Sequence, residues 1–241
     1  MADGGTAYRL HVLHGAFSNI FCFAVSAWAE RQKGRIMKTK KHDSIVKMVQ
    51  LAVLTAIVFV LQFTGTAIPL PFLGTKISLV LIPIALGAMV LGPMAGAWLG
   101  LVFGAVAYIC GGVMGMDPFT LFLFQSNPVI TALICFGKGG AAGFLAGVGY
   151  RLLKEKNGLL AAFVAAAVTP IVNTGLFLLG CLTILGTIEG FMAFAGIGGT
   201  AVYFLFIGCA GWNFIFEFLF NMVFAPSLER VTRVVEKRFG K

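Results

Sequence analysis

Few side chains in this sequence offer chemistry, and those few stand inside long apolar segments. Lys138 is the single charged residue within 127–150, a stretch long enough to cross a bilayer as a helix. Two later apolar segments hold the Asn173-Thr174 pair and the Trp212-Asn213 pair. An ammonium can pair with a substrate carboxylate, amides can recognise hydroxyl or amide groups, and an indole can pack against an apolar moiety. These residues predict a site for a small organic anion.

Gln125 and Asn127 stand at the start of the Lys138 stretch and are further candidates, for the rim of the site. Glu217 is the other charged group deep in an apolar segment. From the helical rise per residue, the depths of Lys138 and Glu217 differ by roughly 9 Å, so a direct ion pair requires helix tilt. Two roles therefore stay open for Lys138: pairing with a substrate and pairing with Glu217.

The motifs of common catalytic and metal sites are absent from the sequence. It has no Walker A, HExxH or GxSxG motif, its three histidines all precede the first long apolar segment, and its five cysteines show no metal-ligand spacing. We therefore expect no enzyme activity, no ATP hydrolysis by this chain, no cofactor and no metal.

The elements that hold the candidate residues must be transmembrane helices. The chain is 59% hydrophobic and 11% charged, whereas soluble domains are about 25% charged. We predict an all-α membrane protein with six transmembrane helices in one bundle. The predicted spans are residues 45–66, 77–91, 94–111, 127–150, 159–186 and 200–224. We expect outer loops at 67–76, 113–126 and 187–199, the second of which is equally readable as a partly inserted hairpin.

Charge distribution gives the expected orientation. The net charge is +9, but the basic residues cluster at 38–47, 151–156 and 230–241, next to span ends. Lys76 is the only lysine or arginine in the three expected outer loops. Positive residues mark cytoplasmic segments, so we expect both termini in the cytoplasm and no nucleic-acid partner.

Residues 1–36 differ from the remainder. Their apolar run, 16–29, is shorter than a span and typical of a signal-peptide core or an interfacial helix. The codons for residues 33–36 can form a purine-rich ribosome-binding sequence just before Met37. We hypothesise that Met37 is the initiator, that 37–241 form the membrane domain, and that 1–36 are a leader outside the native protein.

Small residues recur every four positions in three predicted spans, a pattern that allows helix backbones to approach closely. In the first span the pattern is suited to a contact inside the protein or with another membrane subunit. The three sets are Ala52 and Ala56; Gly92, Gly96, Gly100 and Gly104; and Gly139, Gly143 and Gly147.

The run ISLVLIPIALGAMVLGPMAGAWLGLVFG at 77–104 resembles the substrate-specificity (S) components of energy-coupling-factor (ECF) vitamin transporters. GFLAGVGYRLLK at 143–154, VNTGLFLLG at 172–180 and the Ala52-xxx-Ala56 pair add to the resemblance, which covers most of the membrane domain. The pattern is most similar to pantothenate-type S components, although those carry Pro-Arg-Ile near the point where this chain has Gly137-Lys138-Gly139.

The resemblance implies a high-affinity vitamin-binding subunit, best matched to pantothenate, in a bacterial cell membrane. It would dock through its first three spans onto a transmembrane coupling subunit driven by two ATPases, with Ala52 and Ala56 at the contact, and topple in the bilayer to release substrate. Asn173 and Thr174 correspond to an Asn-Thr pair of the family.

In this interpretation the site lies near the outer side of spans four to six, under the loops at 67–76 and 113–126. Lys138 pairs with a substrate carboxylate, Asn173 and Asn213 supply hydrogen bonds, and Trp212 packs against the apolar part. Two other classes stay open. A self-sufficient proton-coupled transporter or channel for a small organic anion would use Glu217 and Lys138, and a structural assembly protein would bind no small molecule.

Overall fold

The computed structural model describes residues 44–65 and 79–239, and within these ranges all regular structure is helical. The chain divides into two units, Met1–Met48 and Val49–Lys241. The described part of the first unit is the beginning of a helix, and all packing below belongs to the second. The expectations for residues 1–36, for Met37 as initiator and for the loop 67–76 fall outside the described residues.

The described residues form eight helices, five of which are long and apolar enough to cross a membrane. The helices are α1 Ser44–Gly65, α2 Leu81–Val90, α3 Pro93–Val113, α4 Pro118–Ser126, α5 Pro128–Lys154, α6 Gly158–Leu182, α7 Leu185–Ala195 and α8 Ala201–Arg238. The five that are long enough to cross a membrane are α1, α3, α5, α6 and α8.

The helices differ from the expected elements most in three segments, and α8 also continues beyond the expected end at 224. The segment expected as the second span holds the 10-residue helix α2. The segments 113–126 and 187–199, expected as loops, hold the short helices α4 and α7. The loop interpretation of these two segments is therefore wrong for most of their length, because short apolar helices pack there against the ends of the long ones.

Polar caps followed by proline explain where the helices around the candidate site begin. The Asp117 carboxylate accepts a hydrogen bond from the Thr120 backbone N–H at 3.1 Å, and the Asn127 side chain accepts one from Ile130 at 3.1 Å. Pro118 and Pro128 follow these caps at the first helical position, where a missing N–H costs nothing. Asn127 is thus the one residue between the end of α4 and the beginning of α5.

The glycine faces of α3 and α5 pack directly on each other. A Cβ added at Gly100 would collide with the Gly139 carbonyl, and one at Gly96 would collide with the Gly143 carbonyl. A Cβ at Gly147 would lie 2.6 Å from the Pro93 Cα. The predicted close approach is confirmed for these two helices. It holds the α5 backbone against α3 at Gly139, the residue that follows Lys138.

Candidate functional site

Lys138 lies between two aromatic rings. Its Nζ is 5.5 Å from the centroid of the Phe103 ring on α3 and 5.0 Å from that of the Phe177 ring on α6. No carboxylate of the described residues forms an ion pair with it. Cation–π contacts supply about 0.5–2 kcal/mol, less than the several kcal/mol that a charge costs at membrane depth. The ammonium therefore still favours an anion.

Contacts between α5 and α6 set the level of Lys138. Gly149 packs beside Val164 and Gly180 beside Ile134, which makes the two helices antiparallel. Lys138 is consequently level with the part of α6 that carries Asn173 and Phe177. These two α6 residues are four positions apart, so they share one face of the helix.

Asn173 is 5% exposed and its Oδ1 has no hydrogen-bond partner within the described structure. Thr174 beside it is also buried. An unpaired buried acceptor costs about 1–3 kcal/mol. A ligand that presents an N–H or O–H group here would recover that free energy.

A polar ladder runs along α8. Asn213 Nδ2 donates to Glu217 Oε1 at 3.2 Å, and Asn221 Nδ2 donates to the Glu217 backbone carbonyl at 2.8 Å. The other acceptors, Glu217 Oε2 and both amide oxygens, are buried and have no partner in the described part of the chain. The ladder thus adds three acceptors to the one on Asn173.

The contact between α6 and α8 shows how deep in the bundle this ladder lies compared with Lys138. A Cβ at Gly158 would lie 3.0 Å from Glu229 Oε1, and the two helices run antiparallel from there. Asn173 is then level with Asn213, whereas Glu217 lies about one turn deeper. The buried acceptors of α6 and α8 thus occur at neighbouring levels of the bundle.

Lys138 and Glu217 do not form an ion pair. The helix registers place them five to six α6 residues apart in depth, or about 8 Å, in line with the separation expected from the sequence. An ion pair with Glu217, one of the two partners considered for Lys138, is therefore absent from this structure.

Phenylalanines of α4, α7 and α8 pack together over Phe177, one of the two aromatic rings beside Lys138. The Phe119 ring lies edge-on to Phe177 at 6.3 Å, to Phe191 at 5.2 Å and to Phe204 at 6.1 Å. Phe122 contacts Phe191 at 5.6 Å. These four residues, Phe119, Phe122, Phe191 and Phe204, form a phenylalanine cover on α4, α7 and α8, and Phe119 connects the cover to Phe177 on α6.

Comparison with known proteins shows the family of this chain. The model of the family "ECF transporter, substrate-specific component" matches residues 46–228. The chain belongs to this family. ECF substrate-specific components are transporter subunits, not enzymes, so the chain is a multi-pass membrane protein of vitamin uptake.

The chain is also similar to a named transporter. It is 29% identical over 152 residues to the pantothenic acid transporter PanT of Lactococcus lactis subsp. cremoris (strain MG1363). The aligned region is 58% of this chain and 75% of the relative. No solved structure matches the chain significantly.

The remaining predicted residues of this ECF component lie in varied places. Asn127 is occupied as the cap of α5, and Gln125 is exposed. Trp212 is 51% exposed and packs 6.4 Å from Phe216 on its own helix. The structure therefore brings Lys138 to the level of Asn173, and neither the indole nor Gln125 is among the contacts of the ammonium.

Sequence reasoning missed Asn221 and the aromatic residues of the ECF component's site. Asn221 could have been found, because Asn213, Glu217 and Asn221 are spaced four apart and so share a helix face. Nothing in the sequence distinguishes Phe103 and Phe177 from the other phenylalanines. Among the described residues there is no group of three or more His, Cys, Asp or Glu side chains that could hold a metal.

Proposed function

We propose that the protein is the membrane-embedded, high-affinity binding subunit of an ECF-type ABC importer, and that its substrate is pantothenate. The observation that carries this proposal is Lys138, an ammonium between two aromatic rings with no carboxylate partner among the described residues. A carboxylated vitamin completes this site electrostatically. The similarity to PanT supports the choice of vitamin.

The buried acceptors support the same substrate. Pantothenate carries a carboxylate at one end and an amide and hydroxyl groups along its length. The carboxylate would pair with Lys138, and the N–H and O–H groups would donate to Asn173 Oδ1 and Asn213 Oδ1, which lack partners. Thr174, beside Asn173, would complete this side. Asn127 and Gln125 would lie at the rim, and Trp212 would pack against the apolar part of the vitamin.

We place the chain in the bacterial plasma membrane with six spans and both termini in the cytoplasm. In this topology α2 belongs to the second span. The end of the bundle with Arg151 and Lys154 would face the cytoplasm, because basic residues collect there. Fusions of green fluorescent protein and alkaline phosphatase to the C-terminus test this, with fluorescence and no phosphatase activity expected.

The partners would be a transmembrane coupling subunit and two ATPases. Only 6% of the most apolar 18-residue stretch of α1 is buried. Ala52 and Ala56 are both exposed on this helix. This small-residue face would receive a helix of the coupling subunit. Docking followed by toppling of the loaded subunit would release the vitamin inside.

Equilibrium binding to the purified, lipid-reconstituted protein tests the proposal. Radiolabelled pantothenate should saturate one site per chain, and an excess of unlabelled pantothenate should displace it whereas biotin or riboflavin should not. Displacement by a different carboxylated vitamin would keep the class and change the substrate. Absence of binding for every vitamin would refute the function.

The alternative is a self-sufficient proton-coupled transporter or channel for a small organic anion. The buried Glu217 carboxyl is the observation in its favour. It predicts pantothenate uptake into vesicles that contain this chain alone and are energised by a pH gradient, with uptake lost in Glu217→Gln. The binding-subunit proposal predicts no such uptake without the coupling subunit and the ATPases.

A further inference from the structure

A cleft lies between α8 and the start of α6, far along the chain from Lys138. It has a volume of about 490 Å³ and is lined by Leu159, Pro226, Glu229, Arg230, Arg233, Val234 and Lys237. Three of these side chains are cationic and one is anionic. The cleft is therefore an anion-attracting site that the vitamin does not occupy in the proposed function.

The cations of the cleft are only partly neutralised. Glu229 is buried and forms an ion pair with Arg233. Arg230 and Lys237 have no hydrogen-bond or ion-pair partner among the residues that the structure describes, and both are exposed. Two donors thus remain available to one anionic group, such as a phosphate.

The face of α8 that leads to the cleft changes from apolar to cationic at Pro226. Leu219 and Val223 are 53% and 72% exposed on this face. Residues 219, 223, 226, 230 and 237 follow helical spacing, so they form one stripe. The stripe presents apolar surface along the membrane and then positive charge at its end.

We propose that the cleft binds an anionic phospholipid. The phosphate lies between Arg230 and Lys237, and one acyl chain lies along Leu219, Val223 and Pro226. A soluble phosphate would use only the cationic half of the stripe, and an acidic protein segment would not use the exposed apolar half. The continuous apolar-to-cationic stripe favours the lipid, since basic pockets between transmembrane helices bind anionic headgroups.

The test compares lipids on the full chain purified in detergent. Phosphatidylglycerol is titrated while the melting temperature and the lipid retained in native mass spectrometry are measured, with phosphatidylcholine as the neutral lipid and glycerol phosphate as the soluble anion. We expect phosphatidylglycerol to raise the melting temperature and to be retained, and the other two to do neither.

Charge variants assign the effect to the cleft. In Arg230→Gln/Lys237→Gln the phosphatidylglycerol concentration at half-saturation should rise about 30-fold, from about 1 kcal/mol for each basic residue. Lys156→Gln/Arg238→Gln removes the same charge from exposed residues outside the cleft and should leave the half-saturation unchanged. Arg230→Lys/Lys237→Arg keeps the charge and should keep the binding.

Each contrary outcome overturns the proposal in its own way. Equal half-saturation in the two glutamine pairs would place the lipid elsewhere. Equal stabilisation by glycerol phosphate would make the cleft a site for a soluble anion. If the lipid has no effect and only Arg230→Gln/Lys237→Gln lowers affinity for the coupling subunit, the cleft is a protein contact.

Discussion

Replacement of Lys138 by methionine should separate substrate binding from folding. Methionine is unbranched and apolar, and its sulfur can contact the rings of Phe103 and Phe177 that now hold the ammonium. Because no carboxylate of the described chain forms an ion pair with Lys138, its removal breaks no ion pair. We expect the free energy of unfolding to stay level or to rise, since a charge no longer has to be held at membrane depth.

The same variant should lose affinity for pantothenate. A hydrogen bond to a charged group contributes about 1.5–3 kcal/mol, which corresponds to a Kd about 10 to 150 times higher. Pantothenol, in which an alcohol replaces the carboxylate, gives the matched ligand. It should bind the parent protein more weakly than pantothenate does, and Lys138→Met should reduce its affinity little.

Isothermal titration with both ligands, alongside thermal melting, measures this. Lys156→Met, at an exposed lysine between α5 and α6, is the control and should bind both ligands as the parent does. Unchanged pantothenate affinity in Lys138→Met would refute the ion pair with substrate. An equal loss for pantothenate and pantothenol would also refute it, because the lysine would then support the site without recognising the carboxylate.

Three further substitutions test the packing, the cover and the partner surface. Gly139→Ala should lower the free energy of unfolding by about 1–3 kcal/mol because its Cβ meets the α3 backbone, while Gly137→Ala, with open space around it, should not. Phe119→Ala should speed vitamin dissociation in a filter-binding chase by opening the phenylalanine cover, whereas Phe206→Ala, on an exposed side chain, should leave the rate unchanged. Ala56→Leu should abolish co-purification with the coupling subunit and preserve vitamin binding. A Leu variant that still co-purifies would argue against this surface.

The long helices and their closest contact could be predicted because they follow from local patterns. Apolar length predicted α1, α3, α5, α6 and α8, and the four-residue glycine spacing predicted the α3–α5 contact. The partners of Lys138 could not be predicted in this way. Phe103 and Phe177 are far from it in the chain, and only the registers of three helices bring their rings to the ammonium.

The helices α4 and α7 were missed for a related reason. The α4 segment contains Gly, Pro and Asp close together, a composition typical of loops, and is too short to span a membrane. Its helix is capped by Asp117 and stabilised by the contacts of Phe119 with three other helices. Such tertiary contacts override local propensity, and hydropathy does not report them.

The direct backbone contact of α3 with α5 determines which parts of the protein can move. Two helices with side chains between them can slide past each other, because the side chains can change rotamer. The α3 and α5 backbones meet directly at Gly100 and Gly139, with no side chains between them. We therefore expect this helix pair to stay rigid. We expect α4 and α7 to adjust when a ligand enters, and amide deuterium exchange to be slow along α3 and α5 and faster in these two short helices.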